Sequence, residues 1–293
     1  MTDRVLDGGR VGSWRLLAGN PVTVVSAVAL TAVLVVALTA HWIAPYGINE
    51  VDVPNALRGP SGAHWFGTDE LGRDVLSRVL VAVQASMRVA LVSVVFAVVV
   101  GVTTGVVAGY RGGWVDTVFM RVVDVMFAFP VLLLALAIVA VLGPGVTTTM
   151  LAIGIVYTPI FARVARASTL GVTVEPYVQL SRAMGTGSPY ILARHVLPNV
   201  AGPLLVQTSL SLAFAILSEA ALSFLGLGIQ PPEPSLGRMI FDSQGFVTLA
   251  WWMAVFPGAA IFVVVLAFNL LGDGLRDVLD PRQRTMLEAR RKQ

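Results

Sequence analysis

Residues 125–162 read VMFAFPVLLLALAIVAVLGPGVTTTMLAIGIVYTPIFA, a run of 38 residues with no Asp, Glu, Lys or Arg. A helix that crosses a bilayer needs about 20 apolar residues, so this run is too long for one span. Gly143-Pro144-Gly145 interrupts it near the middle, where glycine and proline disfavour a continuous helix. The run therefore predicts two membrane-spanning helices joined by a tight turn.

Further apolar runs flank this pair of predicted spans. The composition is 56% hydrophobic and 13% charged, against roughly 25% charged residues in a soluble domain. Because lipid offers the backbone no hydrogen-bond partners, such runs are expected to form helices. The predicted fold class is all-α and integral to the membrane, with six transmembrane helices. The other four runs are Val22–Ala40, Val89–Gly109, Val196–Ser218 with its continuation past Glu219 to about Gly228, and Ser243–Gly272.

The basic residues predict the orientation of these spans. Six spans place both termini on one side, and fifteen of the 20 basic residues then fall in segments on that side. Because cytoplasmic segments carry the excess of Lys and Arg, both termini are predicted to be cytoplasmic. Val22–Ala40 is longer than the apolar core of a typical signal peptide, so we expect a retained first span. The predicted layout is a cytoplasmic tail at 1–21, a first transmembrane helix at 22–42, an extracytoplasmic segment at 43–87, a core of five transmembrane helices at 88–272 that includes a cytoplasmic loop at 165–203, and a cytoplasmic tail at 273–293.

The extracytoplasmic segment ends in an amphipathic stretch. Apolar residues recur there at helical spacing from Leu71 to Leu80, and Asp69 stands where an N-cap is expected. The pattern predicts a helix capped by Asp69 that lies on the outer membrane surface. A docking element for an external partner is the alternative.

The rarest residues exclude several kinds of chemistry. The chain has no cysteine, which excludes disulfides, thiolate sites and cysteine nucleophiles. Its three histidines, His41, His64 and His195, lie far apart, so no metal site is expected. The only lysine is Lys292, so the chain lacks the G-x-x-x-x-G-K-[ST] loop that binds ATP phosphates. With no Ser/His or acid pair that suggests catalysis, we expect a transport subunit, not an enzyme, that draws its energy from another subunit or from a gradient.

Small residues recur every four positions in the second predicted span. Such a stripe lets two helix backbones approach closely in lipid, where no hydrophobic effect drives helices together. We therefore expect this face to pack against another helix. The stripe consists of Ala97, Gly101, Gly105 and Gly109.

Glu219 is the only acid well inside an apolar run. A charge at the bilayer centre costs about 3 kcal/mol on insertion scales, so an acid at that depth is expected to have a structural or functional role. Two hypotheses remain open. The carboxylate either stands at a helix end near the interface or pairs with a partner chain, or it lines a substrate path.

The longest predicted cytoplasmic connection, Arg163–Pro203, contains a short helix that starts at Tyr177. This helix is predicted to end at Gly185, a residue that tolerates the positive φ found at helix C-termini. Tyr177, Leu180 and Met184 share one face of it. Apolar side chains on one face of a cytoplasmic helix predict a protein partner. A loop folded on the membrane surface is the alternative.

A second short helix follows in the same connection. Ser188 is its predicted N-cap, with Pro189 at the first helical position. Because proline disfavours the helical conformation of the residue before it, the helix is predicted to stop at Pro198.

The spacing in this connection resembles the EAA loop of binding-protein-dependent ABC permeases. That family's pattern reads E-A-A, three residues, Gly, nine residues, I-x-L-P. The chain keeps Gly185, Leu197 and Pro198, and its His195-x-Leu-Pro-Asn199 ending is similar to the dipeptide, oligopeptide and nickel branch. It departs from the pattern at Gln179, Leu180, Ser181 and His195. By this resemblance, the residues expected to contact an ATPase are Tyr177, Leu180, Ser181, Ala183, Met184, Gly185, His195, Leu197, Pro198 and Asn199.

Other segments that resemble signatures of this branch occur in order along nearly the whole chain. Together they resemble the second, C-type permease of the peptide importers. The segments are Phe66–Asp74 with Ser77-Arg78, Ala108–Asp116 with Met120-Arg121 and Asp124, Leu222–Gly228 with Pro231-Pro232, and Asn269–Asp277 with Asp280-Pro281.

The resemblance implies a type I ABC importer permease in a prokaryotic cytoplasmic membrane. Two homologous permeases would form the pore, two ATP-binding cassette subunits would hold ATP and Mg, and an extracytoplasmic binding protein would deliver the substrate. This chain itself would hold no cofactor. Its basic residues flank the apolar runs, which favours contact with membrane lipid over nucleic acid.

The resemblance implies that the substrate is a peptide. It also implies that the peptide is moved by alternating access. Nickel and glutathione are alternatives within the same branch. A gradient-driven secondary transporter is the alternative from another class, and it would be expected to carry intramembrane ion-coupling carboxylates and inverted repeats.

Overall fold

The computed structural model describes residues 21–279, and its regular elements in that range are helical apart from one isolated bridge between Thr68 and Asp74. The predicted N-terminal tail, 1–21, lies outside the described residues except for Pro21. The last helix continues past the boundary predicted at residue 272. The chain beyond residue 279 lies outside the described residues. The helices are α1 (Pro21–Ile43), α2 (Val75–Arg111), α3 (Gly113–Phe127), α4 (Val131–Leu142), α5 (Val146–Thr173), α6 (Pro176–Ala183), α7 (Ser188–Ile191), α8 (Leu197–Phe224), α9 (Leu236–Asp242) and α10 (Trp252–Leu279).

Within residues 21–279, four helical segments are long and apolar enough to cross a membrane. The bent pair α3 and α4 makes a fifth if it is one broken span, and α1 contributes a shorter apolar stretch, Ala27–Ile43. The count of six spans stays a prediction. The four segments are Val75–Arg111, Val146–Thr173, Ser188–Phe224 and Trp252–Arg276.

The third predicted span differs from a straight helix. The predicted span begins at Val125, so it takes in only the last three residues of α3 together with α4. These two helices meet at 91° at a break before Val131, where Pro130 lacks the N–H that would continue the helix. α4 has 12 residues, about 18 Å at 1.5 Å per residue, which is shorter than a bilayer core. The turn after α4 lies where the sequence predicted it, and Gly143 and Gly145 adopt φ of 90° and 154° there.

The segment predicted to be extracytoplasmic leads directly into α2. Asp74, not Asp69, is the N-cap, and its carboxylate accepts a 2.8 Å hydrogen bond from the Ser77 N–H. Asp69 instead closes a turn, accepting from the Leu71 and Arg73 N–H groups. The predicted surface helix capped by Asp69 is therefore wrong, because residues 75–87 continue into the span as one helix of 37 residues.

The centre of the bundle is a parallel contact between α2 and α5. A Cβ on Gly101 would lie 2.7 Å from the Phe161 Cβ, and one on Gly105 would lie 2.8 Å from the Ala165 Cβ. Such separations are closer than side-chain carbons approach, so only glycine lets the backbones lie this near. Ala97 and Gly109 are buried on the same stripe.

The N-terminal ends of α2 and α10 are joined through the loop that precedes α2, which we call the outer loop after its predicted position. The Trp252 indole N–H donates a 3.0 Å hydrogen bond to the Thr68 carbonyl, and Phe66 stacks on Phe256 at 3.9 Å between ring centres. Nearby, burial raises the pKa of the Glu70 carboxyl above its ordinary value. These contacts hold the outer loop as a packed layer over the bundle.

Replacing Gly105 by leucine should separate α2 from α5. The added side chain would collide with the Ala162 backbone and the Ala165 Cβ, and overpacking of this kind costs about 1–3 kcal/mol or more. Val99→Leu on the same helix is the matched control, because Val99 is 60% exposed. The yield of membrane-inserted, monodisperse protein on size-exclusion chromatography should fall for Gly105→Leu and not for Val99→Leu. Equal yields would contradict the packing role of the stripe.

Candidate functional site

The first arm of the predicted EAA-like loop is α6. Pro176 occupies its first turn, where a missing N–H costs no hydrogen bond. At its end the Thr186 N–H donates to the Ser181 carbonyl (3.0 Å) and the Gly185 N–H donates to the Arg182 carbonyl (2.9 Å). This paired ending requires a residue in the left-handed region, and Gly185 has φ 79°, as predicted.

The second arm differs from the prediction at both ends. Gly187 is the N-cap of α7, and Ser188 is the first helical residue and caps nothing. The helical path does not stop at Pro198, because a π turn over Leu192–Val196 joins α7 to α8. Proline is tolerated in the first turn of a helix, where its absent N–H is not needed. α7, the π turn and α8 thus form one helical path from the loop into the bundle.

Aromatic contacts hold the two arms together. The His195 ring lies 5.6 Å from the Tyr177 ring and 6.0 Å from the Tyr190 ring, measured between centres. The Asn199 amide donates to the Tyr177 hydroxyl at 3.3 Å. Tyr190 was not among the predicted residues, and its only sequence signal is an aromatic residue in the second predicted helix.

The inner faces of both arms pack against the bundle. Val178 of α6 and Ile191 of α7 are buried in one cluster with Val106 of α2 and Ala165 of α5. The Arg182 guanidinium also lies 4.6 Å from the centre of the Tyr110 ring, within the range of a cation–π contact. The two arms are therefore attached to the ends of the same helices whose close contact forms the centre of the bundle.

The face of the two arms that lies away from the bundle is apolar and exposed. Its large side chains are all exposed, and the first three recur at helical spacing along α6 and its C-cap. A contiguous exposed apolar surface at one end of a protein marks an interaction site. We call it the docking patch, and it consists of Tyr177 (43% exposed), Leu180 (61%), Met184 (70%) and Tyr190 (58%).

The remaining predicted loop residues lie around the docking patch. Ser181 is half-buried, and its hydroxyl donates to the Tyr177 carbonyl at 2.8 Å. His195 is half-buried between the tyrosines, where it positions the arms. The predicted residues that are exposed beside the patch are Ala183, Gly185, Leu197, Pro198 and Asn199.

Two ion pairs tie α3 to α5 on the loop side of the bundle. The Arg166 guanidinium donates to both oxygens of Asp116, at 2.5 and 2.6 Å. Arg163 donates to Asp124 at 2.7 Å. The bidentate pair restricts the orientation of α3 relative to α5, because the planar fork of arginine matches a carboxylate in one geometry.

Glu219 lies inside the bundle, with no exposed surface. One carboxylate oxygen accepts a 2.5 Å hydrogen bond from the Ser86 hydroxyl of α2, and the other accepts a 2.7 Å bond from Ser223. Ser223 in turn accepts from the Ile229 N–H at 3.1 Å. In this conformation Glu219 is an internal contact between α2, α8 and the segment that follows α8, not the pore or subunit contact that the sequence suggested.

Comparison with known proteins decides the family. Residues 101–285 match the family described as "Binding-protein-dependent transport system inner membrane component". The chain belongs to this family of importer permeases. Residues 11–60 also match the "N-terminal TM domain of oligopeptide transport permease C". The predicted family and its peptide branch are confirmed.

Two relatives are similar to the permease over nearly their whole length. It is 45% identical over 270 residues to the "Glutathione transport system permease protein GsiD" of Escherichia coli O6:K15:H31, a match that covers 92% of this chain and 89% of the relative. It is 41% identical over 279 residues to the "Dipeptide transport system permease protein DppC" of Alkalihalophilus pseudofirmus, covering 94% and 92%. The prediction of a transport subunit of an ABC importer in the inner membrane is confirmed.

A solved structure supports the predicted fold class. The permease aligns with a chain of the inward-facing MetNI methionine ABC transporter with a TM-score of 0.57 and 18% identity. The alignment covers 69% of the permease and 96% of the other chain. At this identity the likeness concerns the fold alone, which is that of an ABC importer permease.

Replacing Glu219 by leucine should destabilise the bundle. The hydroxyls of Ser86 and Ser223 would lose their acceptor in a buried site, which costs about 1–3 kcal/mol of the free energy of unfolding. Glu219→Gln keeps an acceptor oxygen and should lose less. The measurement is the midpoint of thermal unfolding of each variant in detergent. A Glu219→Leu protein as stable as the parent would show that the network contributes nothing.

Proposed function

We propose that the permease imports short peptides, glutathione among them, by alternating access driven by ATP on separate subunits. Support for the substrate comes from the two similar relatives, one named for glutathione and the other for dipeptides. Glutathione is itself a tripeptide, so one pore chemistry fits both names. ATP and Mg belong to the partner subunits in this proposal, which agrees with a chain whose only lysine is Lys292.

The docking patch is the observation that carries the coupling mechanism. Its tyrosine, leucine and methionine side chains project from the end of the bundle where the two arms pack on α2 and α5. We assign it to the ATPase subunit, whose groove would remove the apolar surface from water. A homologous second permease and an extracytoplasmic binding protein complete the proposed complex.

The helical path through the π turn suggests how motion reaches the pore. α7 carries Tyr190 of the docking patch and leads through the π turn directly into α8. α6 is attached to α2 and α5 through the buried cluster around Val178. A displacement of the patch by a closing ATPase would therefore move α8 relative to the α2–α5 pair, which is the change that alternating access requires.

The proposal places the docking patch in the cytoplasm and the 44–74 segment outside. Both termini are then cytoplasmic, in agreement with the excess of basic residues on that side.

Single cysteines should report this orientation, because the chain has no cysteine of its own. Ser61 and Ser188 are both exposed, and serine-to-cysteine is a conservative change at each. In whole cells, an impermeant thiol reagent should label the Ser61→Cys variant and leave Ser188→Cys unlabelled. Detergent-opened membranes should label both. Labelling of Ser188→Cys alone in whole cells would reverse the topology.

Variants of the loop should separate coupling from folding. Gly185→Val forces a branched side chain into φ 79°, and Met184→Glu places a charge in a dry contact. Each should weaken ATPase retention in a pull-down by about tenfold or more, equivalent to about 1.4 kcal/mol. Each should also abolish uptake of labelled dipeptide and glutathione. Insertion of the membrane spans should be unaffected, because neither side chain contacts the bundle.

Two controls make the test specific. Gly187 has φ −64°, which any residue adopts, so Gly187→Val should retain the ATPase. Met184→Leu keeps the apolar surface and should transport. If Gly185→Val and Met184→Glu bind the ATPase and transport at wild-type rates, the loop is not the coupling element. If dipeptide and glutathione are not taken up by the wild-type complex while nickel is, the proposed substrate is wrong.

A further inference from the structure

A cavity of about 590 Å³ lies between α1, α2 and the loop before α9, away from the docking patch. Its volume is within the range of small-molecule sites, roughly 300–1,000 Å³. Apolar side chains form one part of the wall, among them Leu34, Leu38 and Leu91. Polar groups form another part, contributed by His41, Gln84, Arg88 and Glu233. The cavity is therefore amphipathic.

The sequence places the polar part of the cavity at the outer boundary of the hydrocarbon layer. The uncharged run Val89–Gly109 has 21 residues, about 31 Å as a helix, which matches a bilayer core of about 30 Å. Arg88 directly precedes this run, and His41 directly follows the uncharged run Val22–Ala40 of α1. Two helices thus present a cation or a polar ring at the same depth, with the leucines lying on the hydrocarbon side.

The charged groups of the cavity are available for a ligand. Within residues 21–279, neither Arg88 nor Glu233 forms a salt bridge, and both are exposed. They line the same cavity, one from α2 and the other from the loop before α9. A ligand that fits must therefore offer an anion to the guanidinium and a cation to the carboxylate.

We infer that this cavity binds an outer-leaflet phospholipid with a phosphate and a primary ammonium in its head group, as in phosphatidylethanolamine. Arg88 binds the phosphate, Glu233 binds the ammonium, and an acyl chain lies along Leu34, Leu38 and Leu91. A short peptide also carries both charges, but it has no chain to cover leucines that are 42%, 75% and 56% exposed at hydrocarbon depth. The apolar wall therefore favours the lipid. The site goes beyond the transport function and does not depend on which peptide is carried.

Lipid retained by the purified complex tests this inference. The complete transporter is extracted from membranes that contain phosphatidylethanolamine and phosphatidylglycerol, washed in mild detergent, and its bound lipid is quantified by mass spectrometry. Arg88→Gln should lower retained phosphatidylethanolamine by about fivefold, the factor given by about 1 kcal/mol per basic residue near a lipid head group. Arg88→Lys keeps the charge and should retain most of the lipid.

The second charge provides a test of head-group selection. Glu233→Gln removes the partner of the ammonium, so the ratio of bound phosphatidylglycerol to phosphatidylethanolamine should rise. Arg58→Gln, at an exposed outer arginine that does not line the cavity, is the control and should match the wild type. If Arg88→Gln fails to assemble, bound lipid is compared between the Arg88→Lys and Glu233→Gln complexes instead.

Three outcomes would overturn the lipid site. The first is phosphatidylethanolamine retention by Arg88→Gln equal to that of Arg58→Gln. The second is an unchanged lipid ratio in Glu233→Gln. The third is displacement of the bound lipid by added dipeptide or glutathione, which would place the cavity on the substrate path instead. Peptide uptake measured on the same complexes keeps a failure of the lipid site distinct from a failure of the transport proposal.

Discussion

Close packing of α2 against α5 is the contact on which the other parts of the permease depend. In lipid, apolar surface gains nothing by leaving its surroundings, so helices associate through fit and through hydrogen bonds. The glycine stripe provides that fit, because Gly101 and Gly105 bring the backbones nearer than any side chain would permit. Ser93 adds a hydrogen bond to the Met150 carbonyl at 2.9 Å. The resulting parallel pair is a rigid unit to which the loop and the outer layer are attached.

The two ends of the α2–α5 pair make different contacts. On the loop side, Val106 and Ala165 receive the apolar inner faces of the two arms, so the docking patch is held by the bundle itself. On the outer side, the N-cap at Asp74 and the contact of Trp252 with Thr68 close the bundle with polar and aromatic groups. The end that carries the docking patch thus lies opposite an end that is closed by polar and aromatic contacts.

Two ionisable residues along the spans differ in how their surroundings satisfy them: one is enclosed by protein, and the other is exposed at the end of an uncharged run. Glu219 illustrates the first case, since serines from two helices satisfy both of its oxygens. Arg88 illustrates the second, since it stands unpaired among the described residues at the edge of an uncharged run. The difference follows from the solvent: a charge enclosed by protein must be satisfied there, whereas a charge at the bilayer boundary can be satisfied by a lipid head group.

The all-helical membrane fold was predictable because hydropathy along a helix depends on local sequence and lipid forbids other backbone structures. The glycine stripe, the turn at Gly143-Pro144-Gly145 and the positive φ of Gly185 were also predictable, since each depends on a residue type at one position. The end of the second arm was not, because Pro198 stops a helix or begins one depending on the turn before it. The N-cap of α2 was predicted at Asp69 and lies at Asp74, because the loop before α2 packs so that Asp69 closes a turn instead. The sequence by itself determined the all-helical membrane fold class and the turn at Gly143-Pro144-Gly145. The tertiary structure alone decided that α3 and α4 bend, that α7 continues into α8, and that Glu219 faces two serines, because these depend on which distant side chains meet.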